Sequence, residues 1–157
     1  WKLPVLYIIE NNKYGMGTSV NRAAAGSALY KRGQPFEIPG DLVDGMNVFK
    51  VIEAADKAGK YVREGKGPYI LEVQTYRYRG HSMSDPANYR TKKELERYRT
   101  KDPIQIAHKE ILQKKIATEK ELEKINKETI KKMKNAADYA LKSPFPNNED
   151  LYTDVYV

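Results

Sequence analysis

Seven successive apolar or proline residues near the start of the chain, residues 3–9 (LPVLYII), constrain the fold more than any other stretch. An unbroken run of this length, rich in β-forming residues, predicts a strand buried on both faces, as in a parallel sheet. Residues 10–17 follow it and are polar and rich in glycine, which predicts a loop.

A helix and a second strand come next along the chain. Residues 47–63 carry apolar side chains at alternating steps of three and four, which is typical of a helix with one apolar face. Residues 65–68 (GKGP) end this helix, and residues 69–73 (YILEV) predict the second strand. The order strand, loop, helix, strand indicates an α/β domain with parallel strands, in which helices flank the sheet. Ligands of such domains bind beyond the carboxyl ends of the strands, here the loops after Ile9 and Val73.

The remainder of the chain is typical of helices. Capping boxes at residues 91–94 and 118–121, together with Asp102 before a proline, predict three helix starts. We expect residues 1–100 to form the carboxyl-terminal part of an α/β domain. Residues 101–157 are predicted to be a helical extension packed on the same domain.

The charge and cysteine content exclude several classes of function. Residues 91–142 carry 15 Lys or Arg against 9 Asp or Glu, which accounts for most of the net charge of +7. These charges alternate along helical patterns, which favours a solvated helix face over a basic nucleic-acid-binding module in the lysine-rich helices. The chain has no cysteine, which excludes disulfides and thiolate chemistry. No apolar run approaches the roughly 20 residues of a membrane span, so we expect no membrane partner.

The first loop has two interpretations on its residues alone. Adjacent asparagines after a strand are typical of a simple turn, because Asn tolerates left-handed backbone angles. An amide oxygen and a nearby backbone carbonyl also suit Mg²⁺, which prefers oxygen ligands and usually shares them with a phosphate. Gly15 and Gly17 would then let the backbone approach a bulky anionic cofactor.

The string ENNKYGMGTSV, followed by RAAA and YKRG, resembles the second half of the thiamin-diphosphate motif in pyruvate dehydrogenase alpha subunits. The resemblance implies the thiamin-diphosphate-binding fold. It also implies that the Asn12 side chain and the Tyr14 main-chain carbonyl bind Mg²⁺ and thereby the cofactor. The family motif opens with Gly-Asp-Gly, so we expect this chain to start mid-domain, after that element. By itself, the chain is expected not to turn over pyruvate.

The second loop, residues 75–91 (TYRYRGHSMSDPANYRT), contains one of only two histidines. His81 follows a glycine and lies among three arginines, which suits an anionic partner, although a loop histidine without a role is the alternative. The other histidine, His108, falls in a predicted amphipathic helix and is interpreted as a packing or surface residue.

This loop resembles the active-site phosphorylation loop of the same family. The resemblance implies that His81 reaches the cofactor diphosphate and acts in reductive acylation of a lipoyl group. It implies that Ser82 and Ser19 match serines that a kinase phosphorylates. The family's remaining serine is absent here, where the loop is one residue shorter and has Asn88. That difference fits the bacterial form of the enzyme better than the mitochondrial form.

The resemblance as a whole implies the alpha subunit of a pyruvate dehydrogenase, in the bacterial cytoplasm or the mitochondrial matrix. Such a subunit would pair with a beta subunit as an α2β2 heterotetramer docked on a lipoyl acyltransferase core. The nearest alternative is the alpha subunit of a branched-chain 2-oxo acid or acetoin dehydrogenase. The branched-chain loop usually has paired His before Ser-Thr-Ser-Asp-Asp, whereas this chain has GHSMSDP. An inactive paralogue is a further alternative, against which the intact Asn12, Tyr14 and His81 argue.

Overall fold

The structure is a computed structural model that describes residues 1–156. The chain divides into two compact units, Trp1–Glu110 and Ile111–Val157. The strands are β1 (Leu6–Asn11), β2 (Tyr14–Gly15), β3 (Thr18–Ser19), β4 (Gly40–Asp44) and β5 (Tyr69–Gln74). The α-helices are α1 (Val20–Ala23), α2 (Val48–Arg63), α3 (Lys92–Arg99), α4 (Pro103–Gln113) and α5 (Glu119–Lys142), and two 3-10 segments span Leu29–Phe36 and Asn148–Tyr152. Among the described helices, none combines the length and the apolar character that a membrane span needs.

A parallel sheet of three strands in the order β1-β5-β4 organises the first unit. Its register pairs Leu6 with Tyr69 and Gly40 with Ile70, so β5 lies in the centre. The predicted α/β class, the parallel strands β1 and β5, and the flanking helix are confirmed. Strand β4 (GDLVD) was not predicted from the sequence, because glycine and aspartate are depleted in strands.

The prediction that the first strand is buried on both faces is wrong for this chain. Tyr7 is 52% exposed and Ile8 is 62% exposed, and because successive side chains of a strand point to opposite faces, the described residues leave both faces of β1 partly uncovered. The strand also begins at Leu6, so the first residues of the apolar run lie outside it. An apolar run shows that side chains can be buried, but it does not show which segment covers them.

Helix α2 packs on the sheet and supplies its small core. The Asn47 side chain caps the helix by accepting the backbone N–H groups of Phe49 and Lys50. Ala58 and Val62 are buried on the apolar face, where they pack against Tyr69 of β5. The spacing that predicted this helix therefore identified the face that is buried.

The three helix starts predicted in the second half of the chain are confirmed. The Asp102 carboxylate accepts the N–H groups of two residues in the first turn of α4. A complete capping box joins Thr118 to Glu121 at the start of α5. The box at residues 91–94 forms in part, since Thr91 accepts the N–H of Glu94 whereas the Glu94 carboxylate binds elsewhere. The boundary at residue 100 and the packing of the helical extension on the domain stay predictions.

Two glycines offer a matched test of how strand β4 packs against β5. A Cβ at position 40 would lie 2.6 Å from the backbone oxygen of Ile70, whereas a Cβ at position 15 would meet nothing within 4 Å. Gly40→Ala is therefore expected to lower the free energy of unfolding by about 1–3 kcal/mol. Gly15→Ala is expected to change it by less than about 0.5 kcal/mol. Urea denaturation of both variants would measure the difference, and equal losses would contradict the strand packing described here.

Candidate functional site

The loops after β1 and β5 leave the sheet side by side. Asn11 at the end of β1 pairs with Gln74 at the end of β5, and the N–H of Thr75 donates to the Asn11 carbonyl at 2.9 Å. Since both strands run in the same direction, both loops begin at the carboxyl edge of the sheet. This is the edge at which the sequence predicted a ligand site.

The two asparagines of the first loop have different environments. Asn11 is buried at 4% exposure, and its Oδ1 accepts the N–H of Lys13 at 3.1 Å. Asn12 is partly exposed, and its Oδ1 accepts the N–H of Tyr14 over a longer distance of 3.4 Å. Lys13, which follows the two asparagines and precedes Tyr14, adopts a left-handed backbone with φ 75°. Asn11 thus forms the turn that one interpretation predicted, and the side-chain oxygen of Asn12 is the more weakly engaged of the two.

The tight hairpin that follows, β2–β3, lies against Tyr89 of the second loop. A Cβ at Gly17 would lie 3.1 Å from the Tyr89 ring, so the missing side chain makes room for this tyrosine. The Tyr14 ring packs on the same residue, with ring centroids 5.3 Å apart. The sequence predicts that Gly15 and Gly17 both let the backbone approach a cofactor. Of these two glycines, only Gly15 has open surroundings.

A carboxylate that the sequence pattern assigns to helix capping lies at the centre of this region. Glu94 of α3 accepts the hydroxyl of Tyr14 at 2.9 Å and the hydroxyl of Tyr76 at 3.0 Å. Burial, followed by the hydrogen bond to Glu94, raises the pKa of Tyr14 to about 12. Tyr76 in turn stacks on Tyr98, with centroids 3.8 Å apart. The residue was missed because its position in a capping-box pattern already gave it a structural role.

Two of the three arginines in the second loop hold the loops together. Arg77 donates to the carbonyl of Met16 at 2.7 Å and to the hydroxyl of Tyr89 at 3.0 Å. Arg90 donates to the carbonyls of Arg77 and Tyr78. The suitability of this cationic loop for an anionic partner stays a prediction. Two of its three guanidinium groups already donate to backbone carbonyls of the loops.

Asp85 fixes the part of the loop that contains His81. Its carboxylate accepts the N–H of His81 at 2.6 Å, the N–H of Ala87 at 2.8 Å and the hydroxyl of Tyr89 at 2.9 Å. The backbone hydrogen bonds, the one from His81 first, hold the pKa of Asp85 below its ordinary value. His81 is exposed, and its Nδ1 lies 3.5 Å from Nη1 of Arg77. The imidazole thus contacts the arginine that binds the first loop.

Two clefts at this edge contain other predicted residues. The larger, of about 590 Å³, is lined by Tyr14 and Ser19 together with Lys13 and residues of α3. The smaller, of about 370 Å³, is lined by Ser82 together with Asp85 and Arg90. Asn12 and His81 line neither cleft. The structure brings their loops into contact through Arg77 and Met16, and their predicted roles as ligands stay predictions.

The link between Glu94 and Tyr14 predicts a shifted titration. Glu94→Gln is expected to lower the pKa of Tyr14 from about 12 toward the ordinary value of 10.0, because a neutral amide does not oppose the phenolate charge. In the wild type, the raised pKa of Tyr14 contributes to the stability of the fold. This contribution is complete below the ordinary tyrosine pKa of 10.0 and is lost as the pH rises through about 12. Ultraviolet titration would measure the change, with Tyr14→Phe identifying the signal and Glu96→Gln as control. An unchanged titration would show that the link does not form.

The contacts of Asp85 predict an acid-sensitive loop. Asp85→Asn is expected to speed hydrogen exchange at the N–H groups of His81 and Ala87, since the amide is a weaker acceptor than the carboxylate. The pKa of Asp85 lies below its ordinary value. The stability that its ionised carboxylate gives the loop is therefore present above the ordinary pKa and is lost as the pH falls through the lowered pKa. Exchange measured by mass spectrometry tests this, with Asp138→Asn in α5 as control. Equal exchange in both variants would contradict the assignment.

Comparison with known proteins finds one matching family and relatives that share one name. The family described as "Dehydrogenase E1 component" matches residues 1–149 of the chain. A relative from Rickettsia felis is 51% identical over 156 residues, which cover 99% of this chain and 48% of the relative. A relative from Rhizobium meliloti is 53% identical over 99% of this chain and 45% of its own length. Both are named pyruvate dehydrogenase E1 component subunit alpha.

A mitochondrial relative gives the same result. The alpha subunit from Sminthopsis macroura, named with the addition "mitochondrial", is 49% identical over 99% of this chain and 43% of its own length. The chain therefore spans about half the length of the curated relatives it matches. The family match covers nearly the whole chain, including both loops at the carboxyl edge of the sheet. The chain belongs to the dehydrogenase E1 component family, whose members depend on thiamin diphosphate.

Proposed function

We propose that this chain acts within the alpha subunit of a pyruvate dehydrogenase, which decarboxylates pyruvate oxidatively and transfers the acetyl group to a lipoyl group. The observation that carries the proposal is identity of about half over essentially the whole chain to relatives that bear this name. The contact between the two polar loops at the carboxyl edge of the sheet supports it.

The donor atoms of the first loop fit a hard divalent cation. The side-chain oxygen of Asn12 and the main-chain carbonyl of Tyr14 are oxygen ligands of the kind that Mg²⁺ prefers. The only hydrogen bond that the structure records for Asn12 Oδ1 is the long one from the Tyr14 N–H. Among residues 1–156 there is no cluster of three or more acidic or histidine side chains that could hold a metal alone. In the proposed site, Asn12 and Tyr14 supply two ligands, and phosphate oxygens supply others.

His81 is the proposed residue at the mouth of the site. It follows β5 on an exposed loop, where the Asp85 carboxylate accepts its backbone N–H and Arg77 lies beside its ring. An imidazole in this position can donate a hydrogen bond to a phosphate or move a proton during acyl transfer. Thiamin diphosphate, when bound, supplies the electron sink for loss of carbon dioxide from a 2-oxo acid. The chain's own residues bind and orient the group.

The name of the relatives also suggests partners. They are alpha subunits of an E1 component, so a beta subunit and a lipoyl acyltransferase core are the proposed partners of this chain. An α2β2 heterotetramer is the proposed assembly, with the active site between alpha and beta chains.

Ser82 and Ser19 are the proposed phosphorylation sites. Ser82 is exposed, and its hydroxyl lies 3.0 Å from that of Ser84. A phosphate of about −1.5 to −2 charge at Ser82 would stand close to the Asp85 carboxylate that holds the loop. Repulsion between the two would loosen the N–H contact of His81. Ser19 lines the cleft that contains Lys13, where a phosphate would meet a positive charge.

The proposal is tested by replacing a predicted ligand in the complete enzyme. Asn12→Ala is expected to raise the Mg²⁺ concentration that half-saturates pyruvate turnover by roughly 10-fold or more, because one oxygen ligand is lost. Asn126→Ala on α5 is the matched control and should leave that concentration unchanged. Turnover of 2-oxoisovalerate should stay far below that of pyruvate. Equal Mg²⁺ dependence in both variants would contradict the assigned ligand, and preference for 2-oxoisovalerate would contradict the assigned substrate.

A further inference from the structure

A fully buried carboxylate lies in the central strand and has no role in the proposed chemistry. Glu72 of β5 is 0% exposed. It accepts the side-chain amide of Asn11 at 2.7 Å, the backbone N–H of Tyr30 at 3.1 Å and the side-chain amide of Gln74 at 3.4 Å. Burial opposes its charge, but these hydrogen bonds outweigh that effect and hold the pKa of Glu72 below its ordinary value. A buried charge satisfied in this way constrains every group that donates to it.

The constraint passes from Glu72 to the first loop through Asn11. An ionised carboxylate only accepts hydrogen bonds, so the Asn11 amide must turn its nitrogen toward Glu72. Its oxygen then faces the opposite way, where it accepts the N–H of Lys13 at 3.1 Å. Reversal of this amide would place a donor against the Lys13 N–H, and the turn would lose its hydrogen bond.

Lys13 is the point at which this orientation matters. Its φ of 75° is a left-handed conformation that costs an ordinary residue about 1 kcal/mol or more. Asn11 holds its N–H, and its carbonyl accepts the N–H of Val20 at 2.9 Å. Both backbone polar groups of Lys13 are therefore fixed. Asn12 and Tyr14 lie on either side of it.

We propose that Glu72 is the positioning residue of the divalent-cation site: through the Asn11 amide and the Lys13 turn it aims the Asn12 side chain and the Tyr14 carbonyl at the metal. The inference rests on the proposed function, because it assumes that these two groups bind a divalent cation. Glu72 itself does not touch the metal.

A purely structural role for Glu72 is the competing account, since the carboxylate also holds the Tyr30 N–H. Variants that exchange the donor and the acceptor between Glu72 and Asn11 distinguish the positioning role from the structural role. In Glu72→Gln, the new amide keeps an acceptor for Tyr30 but presents a donor to Asn11, which must then flip. Adding Asn11→Asp gives a carboxylate that accepts from the new amide and from the Lys13 N–H. The double variant thus restores the turn without restoring the buried charge.

The test measures Mn²⁺ affinity by electron paramagnetic resonance on the complete enzyme in the presence of thiamin diphosphate. Glu72→Gln is expected to weaken Mn²⁺ binding about 10–100-fold, the usual effect of removing a partner behind the metal ligands. Glu72→Gln with Asn11→Asp is expected to return to within about 3-fold of the wild type. Glu53→Gln, on the exposed face of α2, is the matched control and should bind as the wild type does.

Unchanged affinity in Glu72→Gln would overturn the inference, and so would a loss that the double variant fails to restore. If the wild-type enzyme bound no divalent cation, both the inference and the proposed function would be overturned. Should Glu72→Gln not fold, hydrogen exchange in the metal-free wild type decides the question. The Lys13 N–H is expected to be protected there, and exchange at the rate of an open chain would overturn the inference.

Discussion

The hydrogen bond from Arg77 to the Met16 carbonyl, at 2.7 Å, is the contact on which the candidate site depends. Residues 61 positions apart meet there, so it converts two separate loops into one surface. Glu94 of α3 adds a second link, because it accepts the hydroxyls of Tyr14 in the first loop and of Tyr76 in the second. Without these links, parallel strands would place the loops at the same edge but would not fix the distance between them.

Charge inside this region acts mainly to hold backbone in place. Arg77 and Arg90 bind carbonyl groups, Asp85 binds N–H groups, and Glu72 fixes the Asn11 amide. A loop rich in arginine is therefore not automatically an anion site. Groups at this edge that remain accessible to a ligand include the partly exposed side chain of Asn12 and the exposed side chains of Arg79 and His81.

The periodicity of residues 47–63 was sufficient to predict α2 and its buried face, because the spacing of apolar residues within one segment determines both. It could not predict how β1 is covered, since that depends on neighbours that a strand's own sequence does not contain. The resemblance predicted Asn12, Tyr14 and His81 as site residues, and these assignments stay predictions, whereas the family match confirms the family itself. Glu94 and Glu72 were missed for a physical reason. Their roles depend on partners 80 and 61 residues away, which no local pattern reveals.

The turn after β1 is proposed to present metal ligands at the edge shared with the His81 loop. A crystal structure of the complete enzyme with thiamin diphosphate and Mn²⁺, in which anomalous scattering locates the ion, would test this. We expect the Asn12 side-chain oxygen and the Tyr14 carbonyl at about 2.0–2.2 Å from the ion. An ion bound at another edge of the sheet, with neither oxygen among its ligands, would contradict it.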